Sequence, residues 1–135
     1  DVIIVEVLDA LKLNSLRDQQ YTSLSGGEKQ RVQIARVLAQ CWNGAGQLCL
    51  LDEPMSSLDI RYQQVLLVTL NDLMLKGLTI VSVLHDLELA QAVASHLVLL
   101  KQGQLYCDGS PDDVFNRQNI KMTFGVDWPI LNSLK

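Results

Sequence analysis

The 135-residue sequence lacks several features that mark common classes of protein. Eleven Lys and Arg stand against fifteen Asp and Glu, a net charge of −4, and no basic run exceeds two residues, which argues against a nucleic-acid-binding surface. No apolar run approaches the roughly 20 residues that cross a bilayer, and no charged-then-apolar leader opens the chain. The phosphate-binding pattern G-x-x-x-x-G-K-S/T is absent as well, so any phosphate site has to be built differently.

Cysteine is scarce too. Cys41, Cys49 and Cys107 match no metal-binding spacing and cannot all pair with one another, which favours a reduced, cytosolic compartment. Cys49 lies inside an apolar run, and we expect it to be a core residue. Because the chain starts without Met in the middle of a helical pattern, we expect a piece of a longer protein or a processed product.

Hydrophobic periodicity divides the chain into alternating strands and helices. Nearly half of the residues are apolar, which is enough to form a core. The predicted elements are a helix over 2–13 (with a strand over 2–5 left open), a helix over 26–41, a strand over 47–54, a helix over about 60–76, a strand ending at His85, a helix over 87–96, two strands around a turn at Gln102–Gly103, a helix capped by Ser110 with Pro111 in its first turn, and a short helix with irregular chain over 117–135.

The two central strands are apolar throughout, as in strands that are buried on both faces of a parallel sheet. The alternation of strand and helix predicts an α/β fold with a parallel sheet and flanking helices. Ligands bind at the carboxyl ends of such strands. Asp52 and Glu53 end one strand and His85 ends the next, so we expect all three at one edge of the sheet.

Ser25-Gly26-Gly27-Glu28 begins the helix over 26–41, and two interpretations stay open. Ser25 as N-cap with Glu28 three residues later forms a capping box, which explains the Ser and the Glu. It does not explain two adjacent glycines, which weaken a first turn. Glycines there allow close approach of an anion to the free amides at the positive end of the helix.

The polar residues at the strand ends also have two interpretations each. Asp52 and Glu53 are either a solvated strand end, or a Mg²⁺ ligand acting through water and a carboxylate that activates an attacking water. Asp59 is either the N-cap of the next helix or part of a site. His85 is either a hydrogen-bonded structural residue or a group that bonds a terminal phosphate.

Four segments, in this order and spacing, resemble the ATP-binding subunits of ABC transporters. LSGGEKQR (24–31) matches the signature motif of that family, and LCLLDEP (48–54) matches Walker B with its catalytic Glu. SSLD (56–59) matches the D-loop, and His85 matches the switch histidine. The resemblance covers about residues 10–115.

The resemblance implies a role for each of these residues. Two nucleotide-binding domains pack head to tail in that family, and the signature helix of one faces ATP that is held by the other. Glu53 would polarise the attacking water and His85 would contact the γ-phosphate. The other implied roles are ATP binding for Ser25, Gly26, Gly27 and Glu28, Mg²⁺ support for Asp52, and communication across the dimer for Asp59.

Three parts of the family pattern are missing. The P-loop, the glutamine-bearing loop and the aromatic residue that stacks on adenine have no counterpart here, so the chain is like the C-terminal half of such a domain. We expect a P-loop NTPase-like sheet that is incomplete because the N-terminal strands are absent, and a chain that is inactive alone. The expected division is a helical signature subdomain over about 1–45, an α/β core over about 46–110, and a C-terminal helix and tail over about 111–135.

Met55, residues 42–47 and NIKMTFGVDW (119–128) resemble the ATPases of vitamin B12 importers, within the iron-siderophore, haem and cobalamin group. This implies a peripheral subunit at the cytoplasmic face of the inner cell membrane, bound to permease subunits and to a second copy of itself. Two alternatives remain. One is the ATPase head of a DNA-repair or chromosome-maintenance protein, which the negative charge disfavours. The other is a non-enzymatic fragment that dimerises through an exposed sheet edge.

Overall fold

A computed structural model describes residues 2–127 of the chain. The chain divides into two compact units, with the boundary between Val83 and Leu84. The first unit contains α1 (Val2–Ala10), α2 (Gly26–Gln40), β1 (Leu48–Asp52), α3 (Ile60–Leu75) and β2 (Thr79–Val83), with short 3₁₀ turns at Asn14–Leu16 and Tyr21–Ser23. The second contains α4 (Leu87–Val93), β3 (Leu97–Lys101), β4 (Gln104–Gly109), α5 (Pro111–Val114) and α6 (Arg117–Phe124).

Strands β1 and β2 of the first unit pair in parallel, from Leu48 beside Thr79 to Asp52 beside Val83. Helix α3 connects them, as a parallel crossover requires. The predicted α/β class, with a parallel sheet and flanking helices, is therefore confirmed. Residues 2–5 belong to α1, so the alternative of a strand over 2–5 is wrong.

The strands are not buried on both faces, and that prediction is wrong. In β1 only Cys49 and Leu51 are buried, whereas Leu48 is 59% and Leu50 67% exposed. Strand β2 is largely exposed along its length. A continuous apolar run is typical of a strand with two covered faces. Within residues 2–127, however, only one face of β1 is covered, so buried and exposed side chains alternate along the strand with a period of two.

The core of the first unit lies between α2, α3 and the loop after α1. Leu13, Leu38, Leu66 and Leu73 are fully buried there. Cys49 is also a core residue, as predicted, and burial, together with the neighbouring Cys41, raises the pKa of its thiol to about 11. The thiol therefore stays protonated at neutral pH and behaves as an apolar group.

The second unit is an antiparallel hairpin covered by short helices. Strands β3 and β4 flank a turn at Gln102–Gly103, as predicted. Both turn residues have positive φ. Ser110 caps α5 with Pro111 in its first turn, which is also confirmed. The buried side chains are Ala90, Leu99, Val114, Phe115 and Ile120.

Two expectations are not tested by these elements. The tail beyond residue 127, including Trp128 of the NIKMTFGVDW segment, lies outside the described residues. The three-part division by motif stays a prediction, next to the two-part division by packing. None of the helices within residues 2–127 is long and apolar enough to cross a bilayer.

Two glycines between α2 and β1 provide a test of the packing. Both have positive φ, +74° at Gly44 and +68° at Gly46. A Cβ at Gly44 would lie 2.8 Å from Cβ of Lys76, whereas a Cβ at Gly46 would meet nothing within 4 Å. We expect Gly46→Ala to lower the free energy of unfolding in urea by about 1–2 kcal/mol through backbone strain alone, and Gly44→Ala to lower it further. Equal losses would contradict the steric account of Gly44.

Candidate functional site

The N-terminus of α2 is built by a complete capping box. Ser25 is the N-cap in extended conformation, and its Oγ accepts from the amide of Glu28 at 3.4 Å. The Ser25 amide and hydroxyl both donate to Oε2 of Glu28, at 2.8 and 2.7 Å. The predicted capping box is therefore confirmed, and it fixes the conformation of the chain at the helix start.

The capping box leaves the two glycines to be explained. A Cβ at Gly27 would lie 3.3 Å from the carbonyl oxygen of Ser57, so Gly27 allows α2 to approach the 56–59 loop closely. A Cβ at Gly26 would meet nothing within 4 Å. The fold therefore has a steric use for Gly27 and none for Gly26, an exposed residue whose amide lies in the first turn of the helix.

The two acids at the end of β1 differ in their surroundings. Asp52 is exposed, and Glu53 is half-buried. Glu53 has a φ of +45°, which is rare for a residue with a side chain. Its amide donates to the carbonyl oxygen of Val83 at 3.1 Å, and its carbonyl accepts from the amide of Ser56 at 3.2 Å. Backbone bonds on both sides thus hold Glu53 in this conformation, as is common at functional sites.

The loop after Glu53 is tied to α2. The side-chain amide of Gln30 donates to the carbonyl oxygen of Pro54 at 3.2 Å. On the other side, the Gln63 side chain donates to the carbonyl oxygens of Met55 and Leu58, at 3.2 and 3.1 Å. The first unit therefore brings the start of α2, the end of β1 and the 56–59 loop together.

Asp59 is the N-cap of α3, where its Oδ1 accepts from the amide of Tyr62 at 3.0 Å. Tyr62 in turn stacks with Arg31 of α2, whose guanidinium carbon lies 3.7 Å from the centre of the ring. Arg31, Tyr62 and the two glutamines are not among the residues predicted from the sequence. The only available signal was the spacing of Glu28 and Arg31, which puts both on one side of α2.

His85 belongs to the second unit. It lies in the bend before α4, is exposed, and directly precedes Asp86, which caps α4 by accepting from the amide of Leu89 at 3.0 Å. The strand predicted to end at His85 ends two residues earlier, at Val83, which lies beside Asp52 at the end of β1. The expectation that His85 itself lies beside the acids stays a prediction.

The side chains and amides of this site suit a metal ion that binds together with a phosphate-bearing ligand. Within residues 2–127, no group of three or more His, Cys, Asp or Glu side chains is arranged to hold a metal ion. Mg²⁺, however, is commonly bound by one or two carboxylates, several waters and substrate phosphates. The exposed Asp52 can provide one such carboxylate, and the amides at the start of α2 suit a phosphate.

The capping box predicts a dependence of stability on pH. Hydrogen bonds from the hydroxyl and amide of Ser25, with a smaller contribution from the charge of Arg31, hold the pKa of Glu28 below its ordinary 4.5. Glu28 therefore stabilises the fold above the unfolded pKa, and this contribution is lost as pH falls through the folded pKa.

We expect Glu28→Gln to lower the free energy of unfolding at pH 7, and the difference from the parent to shrink as pH falls below about 4.5. Urea unfolding between pH 3 and 7 measures it. Asp72→Asn, the same charge loss at an exposed position of α3, is the control. A difference that is independent of pH would argue against the ionised capping box.

Comparison with known proteins gives a consistent result. The sequence profile of the ABC transporter family matches residues 2–56. The hemin import ATP-binding protein HmuV of Hahella chejuensis is 40% identical over 129 residues, which are 93% of this chain and 50% of that protein. HmuV of Gloeobacter violaceus is 44% identical over 124 residues, 90% of this chain and 45% of that protein. The chain thus spans about half the length of the curated relatives it matches.

Solved structures agree. An ABC transporter assigned to the metal-chelate type, in an inward-facing conformation, matches with a TM-score of 0.78 and 31% identity, over 93% of this chain and 49% of that one. An ATP-binding subunit of an ABC transporter matches with a TM-score of 0.74 and 25% identity, over 99% and 53%. Over about nine tenths of its length, the chain therefore matches ABC transporter ATP-binding domains in sequence and in fold.

Proposed function

We propose that this chain is the signature-bearing part of an ATP-hydrolysing subunit that powers import through an ABC transporter. One observation carries the proposal: the Gln30 side chain bonds the carbonyl oxygen of Pro54, so the anion-binding start of α2 and the acids that end β1 belong to one packed unit. A phosphate site and a hydrolytic carboxylate on one unit are the parts that a phosphoryl-transfer enzyme needs.

Glu53 is the group that we propose to activate the attacking water. Its half-buried position and backbone-held conformation restrict where the carboxylate can point, which favours a general base. Asp52, the exposed neighbour at the end of β1, would hold Mg²⁺ through water. Mg²⁺ that is bound with the nucleotide neutralises charge on the phosphates.

The start of α2 would bind the terminal phosphate of ATP held by a second copy of the subunit. The amide of the exposed residue Gly26 and the positive end of a 15-residue helix suit this anion. Because its carboxylate accepts from Ser25, Glu28 would act by orienting the Ser25 hydroxyl rather than by meeting the phosphate. Gly27 would act through the close approach to Ser57.

Two further roles are proposed for residues outside this contact. Asp59, which caps α3, would pass information across the dimer through the 56–59 loop. His85 would bond the γ-phosphate, since a histidine at this place in the motif order and exposed at the start of α4 is accessible to a ligand. Each role follows from the family resemblance together with the surroundings of the residue.

The partners would be permease subunits and a second nucleotide-binding subunit, packed head to tail at the cytoplasmic face of the membrane. The cargo would be haem or an iron chelate, because the relatives with 40% and 44% identity are hemin import proteins. Vitamin B12, which was expected from Met55 and the segment over 119–128, remains a prediction with no specific support among these relatives.

The proposal is tested in the full-length protein that carries this sequence. Glu53→Gln removes the base and keeps the shape, so we expect ATP hydrolysis to fall by about 100-fold or more while ATP binding is retained. Phosphate release and equilibrium binding of labelled ATP measure the two quantities.

Glu88→Gln is the matched control, because Glu88 is an exposed acid in the first turn of α4 with no assigned role. We expect it to hydrolyse ATP at the parent rate. Hydrolysis by Glu53→Gln at near the parent rate would mean that Glu53 is not the base.

A further inference from the structure

The contact between Arg31 and Tyr62 is the closest cation–aromatic contact in the described part of the chain. The guanidinium carbon lies 3.7 Å from the ring centre, whereas the other three contacts are 5.3–6.0 Å. Both side chains are half-buried, and they line a small pocket with Ile34, Leu58 and Leu66. A planar guanidinium on a partly desolvated ring is a directional contact, unlike a mobile surface pair.

This stack connects two elements at the ends that face the proposed site. On α2, Arg31 lies three residues after Glu28, and its positive charge lowers the pKa of the Glu28 carboxyl. Arg31 therefore acts on the carboxylate that accepts from Ser25. On α3, Tyr62 donates its amide to Asp59, the last residue of the 56–59 loop. One pair of side chains thus links the start of α2 to the end of that loop.

Other contacts hold the same loop beside the stack. The Gln30 bond reaches Pro54, before the loop, and the two bonds from Gln63 reach backbone at Met55 and Leu58. Gly27 adds a close approach to Ser57 without a side chain. The stack of Arg31 on Tyr62 adds a directional contact between side chains of α2 and α3 to the apolar core that the two helices share.

We propose that Arg31 and Tyr62 are positioning residues that hold the start of α2 and the 56–59 loop in one arrangement, so that both meet the nucleotide on a second copy together. This inference rests on the proposed function. The physical reason is preorganisation. A surface that is already ordered loses less conformational entropy on binding, and small misplacements of groups that face a reacting phosphate are costly.

The test uses the full-length protein in the Glu53→Gln background, where bound ATP persists. Three quantities are measured: ATP-driven dimerisation by sedimentation, affinity of the monomer for labelled ATP, and Tm. Tyr62→Leu removes the ring, and Arg31→Lys keeps the charge but loses the planar stacking group. We expect each to weaken ATP-driven dimerisation about two- to fivefold, the range of a contact of this type, with the monomer's affinity for ATP unchanged.

Two further variants separate positioning from general stability. Tyr62→Phe keeps the ring, so we expect it to dimerise like the parent. Lys76→Met removes the contact of Lys76 with the ring of Trp42, 5.3 Å apart and at the opposite end of α3. We expect Lys76→Met to affect Tm alone. The double variant Arg31→Lys/Tyr62→Leu is expected to be no weaker than either single variant, because both remove one contact.

The outcomes distinguish this inference from the proposed function. If the Glu53→Gln parent itself shows no ATP-driven dimer, the proposed function fails and this inference fails with it. If the parent dimerises and Tyr62→Leu and Arg31→Lys dimerise equally well, the positioning role alone is overturned. Additive losses in the double variant, or an equal loss in Lys76→Met, would also overturn it.

Discussion

The hydrogen bond from the Gln30 side chain to the carbonyl oxygen of Pro54 is the constraint on which the proposed site depends. Pro54 directly follows Glu53, so the bond fixes the chain at the end of β1 against α2. The amide of Glu53 is in turn bound to Val83 at the end of β2. Two contacts of ordinary length therefore bring a helix start, a strained acid and a loop into one unit, with sequence separations of 24 and 30 residues.

In the described residues of the first unit, β1 has one covered face and β2 is largely exposed. Leu48, Leu50, Val81 and Val83 are each more than half exposed, although their apolar side chains suit a buried strand. Parallel sheets normally have both faces covered by other layers. The strands of the first unit therefore bury less apolar surface than their composition suggests.

Local signals predicted the local structure well. The start of α2, its capping box and the Ser110–Pro111 start of α5 follow from residues that are close in sequence, and all are confirmed. The predicted burial of β1 on both faces is wrong, because an apolar run does not reveal whether a second layer lies over the strand. The positive φ of Glu53 and the stack of Arg31 on Tyr62 depend on contacts between distant segments, which periodicity cannot show. The roles of the site residues came from motif order and remain proposals.

We propose that these residues act on a nucleotide held by a second copy, since the start of α2 suits a phosphate and the 135 residues contain no phosphate-binding loop pattern. The most direct measurement is a titration of the purified 135-residue chain with fluorescent ATP, with and without Mg²⁺. We expect no saturable binding of fluorescent ATP to this chain at concentrations up to the millimolar range. Tight, Mg²⁺-dependent binding would contradict it, because another segment of the chain would then have to hold the nucleotide.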